Sequence, residues 1–80
     1  MNLAQLPDGL EGKLTHVIEE CAEVTHEACK ILRFGPDGFH PRDPDHMPNR
    51  DRLRTEMRQL RAAIDRLDDA LLFSSEWSKK

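Results

Sequence analysis

Tyrosine is absent from this 80-residue chain, tryptophan occurs once, and aromatic residues make up 5% of it. With hydrophobic residues at 38% and charged ones at 34%, there is enough for amphipathic helices but little for a self-sufficient core. A chain this short hides only about 60% of its unfolded surface, so a lone monomer is marginal and an oligomer is the default expectation. Excess positive charge is missing too: the formal net charge is −3, which argues against general binding to nucleic acid or to an anionic membrane surface. No apolar run is long enough to span a bilayer. No internal repeat and no strand-like alternation interrupts the pattern. Cysteine occurs twice, at Cys21 and Cys29. Eight residues apart on one straight helix, their α-carbons stand roughly 12 Å apart, too far for a bridge. Without a signal-peptide-like stretch, the chain is expected in the cytoplasm with reduced thiols and buried cysteines.

What is present divides the chain simply. Residues 1–12 form a lead-in in which Leu3 and Leu6 are available for packing and Pro7-Asp8-Gly9 is turn chemistry. A first helix is expected from about Glu11 to Arg33, stopped by Gly35-Pro36. Residues 34–48 hold four of the five prolines and two glycines, with Asp37, His40, Asp43, Asp45 and His46, and cannot be regular structure. The stretch is long for a helix–helix connection, and loops of that size are often functional. Asn49 is a good N-cap for a second helix from Arg50 to about Phe73, and residues 74–80, with Trp77, read as a flexible tail. Leu53, Met57, Leu60, Ile64, Leu67 and Leu71 recur at alternating four- and three-residue steps, a near-heptad stripe. The fold class is therefore all-α: residues 13–73 form a hairpin of two long helices joined by a proline-rich loop. It is expected to cover its apolar faces by pairing with another copy as a four-helix-bundle-like homodimer or higher homo-oligomer.

The first helix carries Glu19, Glu20 and Glu23 on one flank at about 100° per residue, with His16 extending the stripe upstream and Glu27 and Lys30 downstream. Leu14, Val17, Ile18, Cys21, Val24, Ala28, Ile31 and Leu32 form the opposite, apolar half. Like charges one turn apart destabilise a helix slightly, so the cluster invites a neutralising divalent cation. On the second helix Glu56 stands beside the apolar stripe with Gln59 three residues on. Two antiparallel helices can thus present Glu20 and Glu23 from one side and Glu56 and Gln59 from the other. Magnesium takes such oxygen ligands and keeps several waters.

Glu19-Glu20-Cys21-Ala22-Glu23, followed by Lys30-Ile31-Leu32-Arg33-Phe34-Gly35, a proline-rich loop, Asn49-Arg50 and the run Leu53 to Ala62, resembles the MazG-like nucleotide pyrophosphohydrolases. The likeness is to the short forms common in phages and prophages, and it covers about residues 13–70. It implies an all-α, Mg2+-dependent hydrolase (Mn2+ being an alternative ion) that cleaves a nucleoside triphosphate to a monophosphate and pyrophosphate. Carried over by position, Glu20, Glu23 and Glu56 are metal ligands, and Glu19 is a ligand or orients the water. Lys30 and Arg33 face phosphate charge, and Phe34 and Asn49 complete the substrate-binding set. The chain departs from the family at Gln59, which stands where an Asp is expected, removing one negative charge from the metal ligands. It departs again at Arg61, where related sequences tend to be apolar.

A solvated acidic helix face is the plain alternative for the glutamates, and a charge-laced outer face for Arg50, Arg54, Arg58 and Arg61, with Asp65 within ion-pair reach of Arg61. The histidines and aspartates of the loop match no zinc spacing, leaving a loop that covers the base or a disordered one. Phe34 and Phe39 can stack on a base, although Phe34 also suits the hairpin core. Besides the hydrolase, two rival functions remain open: a relative that binds or sequesters a nucleotide without turnover, and a structural hairpin that binds a partner protein.

Overall fold

The structure is a computed structural model, and it describes residues 9–73. Most of the lead-in, including Leu3, Leu6, Pro7 and Asp8, and the whole tail with Trp77 lie outside the described residues. Two helices, α1, Leu10–Phe34, and α2, Asn49–Phe73, flank a loop of residues 35–48. They pack on each other, and no strand occurs among the described residues. Neither helix is long and apolar enough to cross a membrane.

Local chemistry sets the ends of each helix. Gly9, at φ 93°, turns the chain into α1, and its carbonyl accepts the Lys13 N–H at 3.1 Å. At the far end Gly35 takes φ 86°, a left-handed value that favours glycine, and its N–H donates to the Ile31 carbonyl at 2.8 Å. Pro36 then prevents continuation. The start of α2 corrects the sequence expectation. Asn49 is not the cap but the first helical residue, and its buried side chain donates from Nδ2 back to the Gly35 carbonyl at 3.2 Å. The capping carbonyl is that of Pro48, which accepts from Asp51 and Arg52 at 3.0 and 3.1 Å. The Asn49 and Arg50 N–H groups donate to the loop carbonyls of Gly38 and Pro36, both at 2.8 Å. All four free N–H groups of the first turn are thus satisfied without a side-chain cap.

Three contacts fix the pairing of the helices: His16 meets Arg66, Glu20 meets Gln59, and Gly35 meets Asn49. Residue numbers that rise on one side while falling on the other define an antiparallel hairpin. It is elongated, 46 × 21 × 21 Å, with a radius of gyration of 15.6 Å, against the roughly 11–12 Å of a compact chain this size.

The seam between the helices differs from the one the periodicity suggests. Ala63 is the one hydrophobic residue fully buried among those described, and the other two buried side chains with polar groups are Glu27 and Asn49. Leu53, Met57, Leu60 and Leu67 are half-buried, whereas Ile64 and Leu71, from the same stripe, are exposed. On α1 the apolar half is displaced from the contact: Ile18, Leu32 and Phe34 are exposed, and so are both cysteines. Burial of Cys21 and Cys29, and of Phe34 in a hairpin core, is thereby corrected. The reason is rotational. The direction that meets α2 lies between the acidic and apolar stripes of α1, so each helix leaves an apolar flank uncovered.

Candidate functional site

That rotation carries the acids into the seam. Glu20 and Glu27 are two helical turns apart on the line facing α2. The Glu20 side chain is 13% exposed and Glu27's 9%, while Glu23 stays exposed at the edge and Glu19 is half-buried. Glu56 comes from α2 to meet them. Gln59, its amide oriented so that the nitrogen faces the acids, donates to Glu56 Oε2 and to Glu20 Oε2, each at 3.2 Å. The amide is therefore a neutral tie between two carboxylates on opposite helices. At the upstream end His16 lies 3.6 Å from Glu20 Oε1 through Nε2, while its Nδ1 is 3.2 Å from Arg66 Nη2.

The electrostatic consequence falls on Glu56, whose pKa is pushed above its ordinary value of 4.5. Partial burial is the largest cause, followed by the negative charges of Glu20, Glu23 and Glu27. Among the described residues, no three His, Cys, Asp or Glu side chains converge closely enough to hold a metal ion as they stand. The acids that gather there offer carboxylate oxygens, the ligand type that a hard divalent cation takes. Glu27 is the residue that sequence reasoning left out of the site. Its signal was available: it sits seven residues from Glu20, hence on the same face after two turns.

Next along α1 is a cavity of about 510 Å³ between the end of the helix and the loop. Lys30, Arg33, Phe34 and Asn49, the four residues singled out as substrate-binding, all line it, together with His26 and Phe39. Arg33 lies over the Phe34 ring at 5.0 Å. Lys30 connects the cavity to the acids, its ammonium 3.4 Å from both carboxylate oxygens of Glu27. Glu27 Oε1 has no hydrogen-bond partner.

The loop that lines the cavity is held by its own polar contacts. Asp43 accepts the N–H groups of Asp45 at 3.0 Å and Met47 at 2.8 Å and pairs with Arg52. Those backbone bonds, and then the arginine, hold its pKa at about 2. His46, with φ 49°, stacks on Phe39 at 4.5 Å between centroids. Asp37 pairs with Arg50 at 3.0 Å, and Arg42 N–H donates to His40 Nδ1 at 3.0 Å. Gly38 is required by space, since a Cβ there would sit 2.9 Å from the Phe34 carbonyl oxygen.

On the far side of α2, Arg54, Arg58 and Arg61 line a shallow hollow of about 230 Å³ around Met57. The expected Arg61–Asp65 ion pair does not form, and none of the three arginines is ion-paired among the described residues.

Comparison with protein-family models, with curated proteins and with solved structures finds no match to this chain.

Proposed function

We propose that this chain is a magnesium-dependent nucleoside triphosphate pyrophosphohydrolase of the MazG-like kind, acting as a homodimer or higher homo-oligomer. The observation that carries the reading is one juxtaposition. Acids from two helices (Glu20, Glu23 and Glu56) gather beside a cavity lined by Lys30 and Arg33, and partial burial together with the neighbouring negative charges raises the Glu56 pKa. Glu20, Glu23 and Glu56 would hold the cation, with Gln59 contributing its amide oxygen after rotating away from its present bridge. A magnesium ion held there would neutralise phosphate charge and lower the pKa of a bound water.

The chain's own groups do the rest. Lys30 and Arg33 place positive charge where the phosphate chain lies, stabilising the charge that gathers on the pyrophosphate leaving group. Glu19, at the edge of the acids, orients the attacking water. The water's oxygen bonds to the α-phosphorus and its proton passes to solvent as the α–β anhydride bond breaks, so the products are a nucleoside monophosphate and pyrophosphate. Exposed Ile18, Leu32, Ile64 and Leu71 support the oligomeric part of the reading, because the hairpin alone covers so little apolar surface.

One observation favours a second reading. Gln59 puts a neutral amide bridge between Glu20 and Glu56 where the resemblance leads one to expect a carboxylate, which suits a protein that binds a nucleotide and does not turn it over. The two are separated by product analysis of a nucleotide panel incubated with protein and Mg2+, beside a Glu20→Ala, Glu23→Ala control. Monophosphate plus pyrophosphate, lost in the control, supports the hydrolase. Mg2+-dependent binding without products supports sequestration. Neither binding nor products would overturn both and leave a scaffold that binds a protein partner.

A further inference from the structure

Glu27 stands between the acids and the cavity and belongs fully to neither. Its side chain is more than nine-tenths buried. Its only counterion among the described residues is Lys30, at 3.4 Å from each carboxylate oxygen, and Oε1 accepts no hydrogen bond. A separation of 3.4 Å shared between two oxygens is long for a charge-assisted bond, which normally closes to about 2.7–2.9 Å. A buried carboxylate held this loosely is incompletely compensated. Lys30 has the freedom to leave, since its side chain is 29% exposed and lines the cavity.

We propose that Glu27 is a positioning residue that couples the two halves of the site. Without an anion in the cavity, it would hold Lys30 as it does here. When an anionic phosphate group enters the cavity, the Lys30 ammonium turns to it, and the freed Glu27 carboxylate joins Glu20, Glu23 and Glu56 in attracting the divalent cation. This rests on the reading above, in which the cavity takes the phosphates and the acids take the metal, and it adds an order to the site. Anion and cation each remove the other's competitor, so binding is mutually favourable by linkage. The cost of a buried, unpaired Glu27 also disfavours an anion held without a metal.

Binding measurements on the full chain test this without turnover. In EDTA, inorganic pyrophosphate is titrated into wild type, Glu27→Gln, Lys30→Met and the double variant. Without pyrophosphate, Mg2+ is titrated into the same four proteins. Glu27→Gln should tighten pyrophosphate binding about fivefold or more when Lys30 is present, and have no effect in the Lys30→Met background. Lys30→Met should tighten Mg2+ binding by a similar factor when Glu27 is present, and not in the Glu27→Gln background. Loss of unrelated charge would shift affinity equally in both backgrounds, so additive shifts overturn the proposal. So does the absence of pyrophosphate and Mg2+ binding in wild type. Should Glu27→Gln fail to fold, the Mg2+ comparison of wild type with Lys30→Met still decides: unchanged or weaker Mg2+ binding in the variant overturns the coupling. The two readings fail separately. A non-additive cycle in a protein that releases no products keeps the coupling and removes the hydrolase; turnover with an additive cycle does the reverse.

Discussion

Two carboxylates in this hairpin have opposite fates. Asp43, in the loop, is fully used: two backbone N–H groups and Arg52 converge on it, and its pKa is held at about 2. Glu56, in the seam, has its charge resisted by partial burial and by three other glutamates, and its pKa rises. One region satisfies its charge from within, and the other carries charge that the protein itself leaves in excess. Structural carboxylates resemble the first case. Carboxylates awaiting a ligand resemble the second.

The largest effect is expected from Glu56→Gln. Outer-shell partners of metal ligands typically cost 10–100-fold when removed, so loss of a ligand should lower pyrophosphohydrolysis by at least about 100-fold. The same substitution should raise the Tm of the metal-free protein, because it deletes a charge that the fold resists. Asp43→Asn should do the reverse, lowering Tm by several degrees and exposing the Asp45 and Met47 amides to hydrogen exchange, with Mg2+ affinity unchanged. If both variants lower metal-free stability, the acids of the seam are structural and the contrast collapses.

Gly38→Ala acts next, and only on the loop. Its Cβ would meet backbone, the Phe34 carbonyl oxygen at 2.9 Å, and a backbone atom cannot turn aside as a side chain can. A cost of about 1–3 kcal/mol is expected, in the range of overpacking, together with weaker pyrophosphate binding as the cavity wall shifts. Unchanged stability and binding would mean that the loop does not hold its position over α1.

The readability of these features from sequence follows the range of the interactions. Both helices, the Gly35-Pro36 stop and the irregular character of residues 34–48 follow from neighbours in the chain, and the structure agrees within a residue or so. Lys30, Arg33, Phe34 and Asn49, the substrate-binding set that the resemblance implies, line one cavity. What failed depended on how one helix rotates against the other. Periodicity finds the apolar stripe of α1, but the direction that meets α2 is displaced from it, so Ile18, Leu32 and the cysteines stay outside while Glu27 goes in. Asn49 failed as a cap for a related reason. Its side chain is recruited by Gly35, 14 residues away, and the loop carbonyls supply what the cap would have given.

Gln59→Asp sharpens the contrast from the seam side. It removes the amide tie at 3.2 Å to Glu20 and Glu56 and adds another negative charge. Metal-free Tm should fall, while Mg2+ affinity and any turnover should rise about tenfold, the equivalent of about 1.4 kcal/mol. An unchanged Mg2+ affinity would place residue 59 outside the cation's reach and leave its bridge a purely structural one.

The smallest effect is the dependence of metal-free stability on pH, and there the two carboxylates pull in opposite directions. Glu56 binds its proton more tightly folded than unfolded, so its contribution is present below its ordinary pKa of 4.5 and is lost as pH rises through the raised value. Asp43 binds its proton more weakly when folded. Its contribution is present above 3.8 and is lost as pH falls toward about 2. On acidification from neutral pH, Tm should therefore gain slightly until about pH 4.5 and then fall below about pH 4. Other acids add their own background, so the measurement is the difference between each variant and wild type. Glu56→Gln should flatten the gain and leave the fall, and Asp43→Asn should shrink the fall and leave the gain. Saturating Mg2+ should also abolish the gain, because a cation at Glu56 removes the reason for that group to hold a proton. A gain that persists in saturating Mg2+ would mean that the ion binds elsewhere.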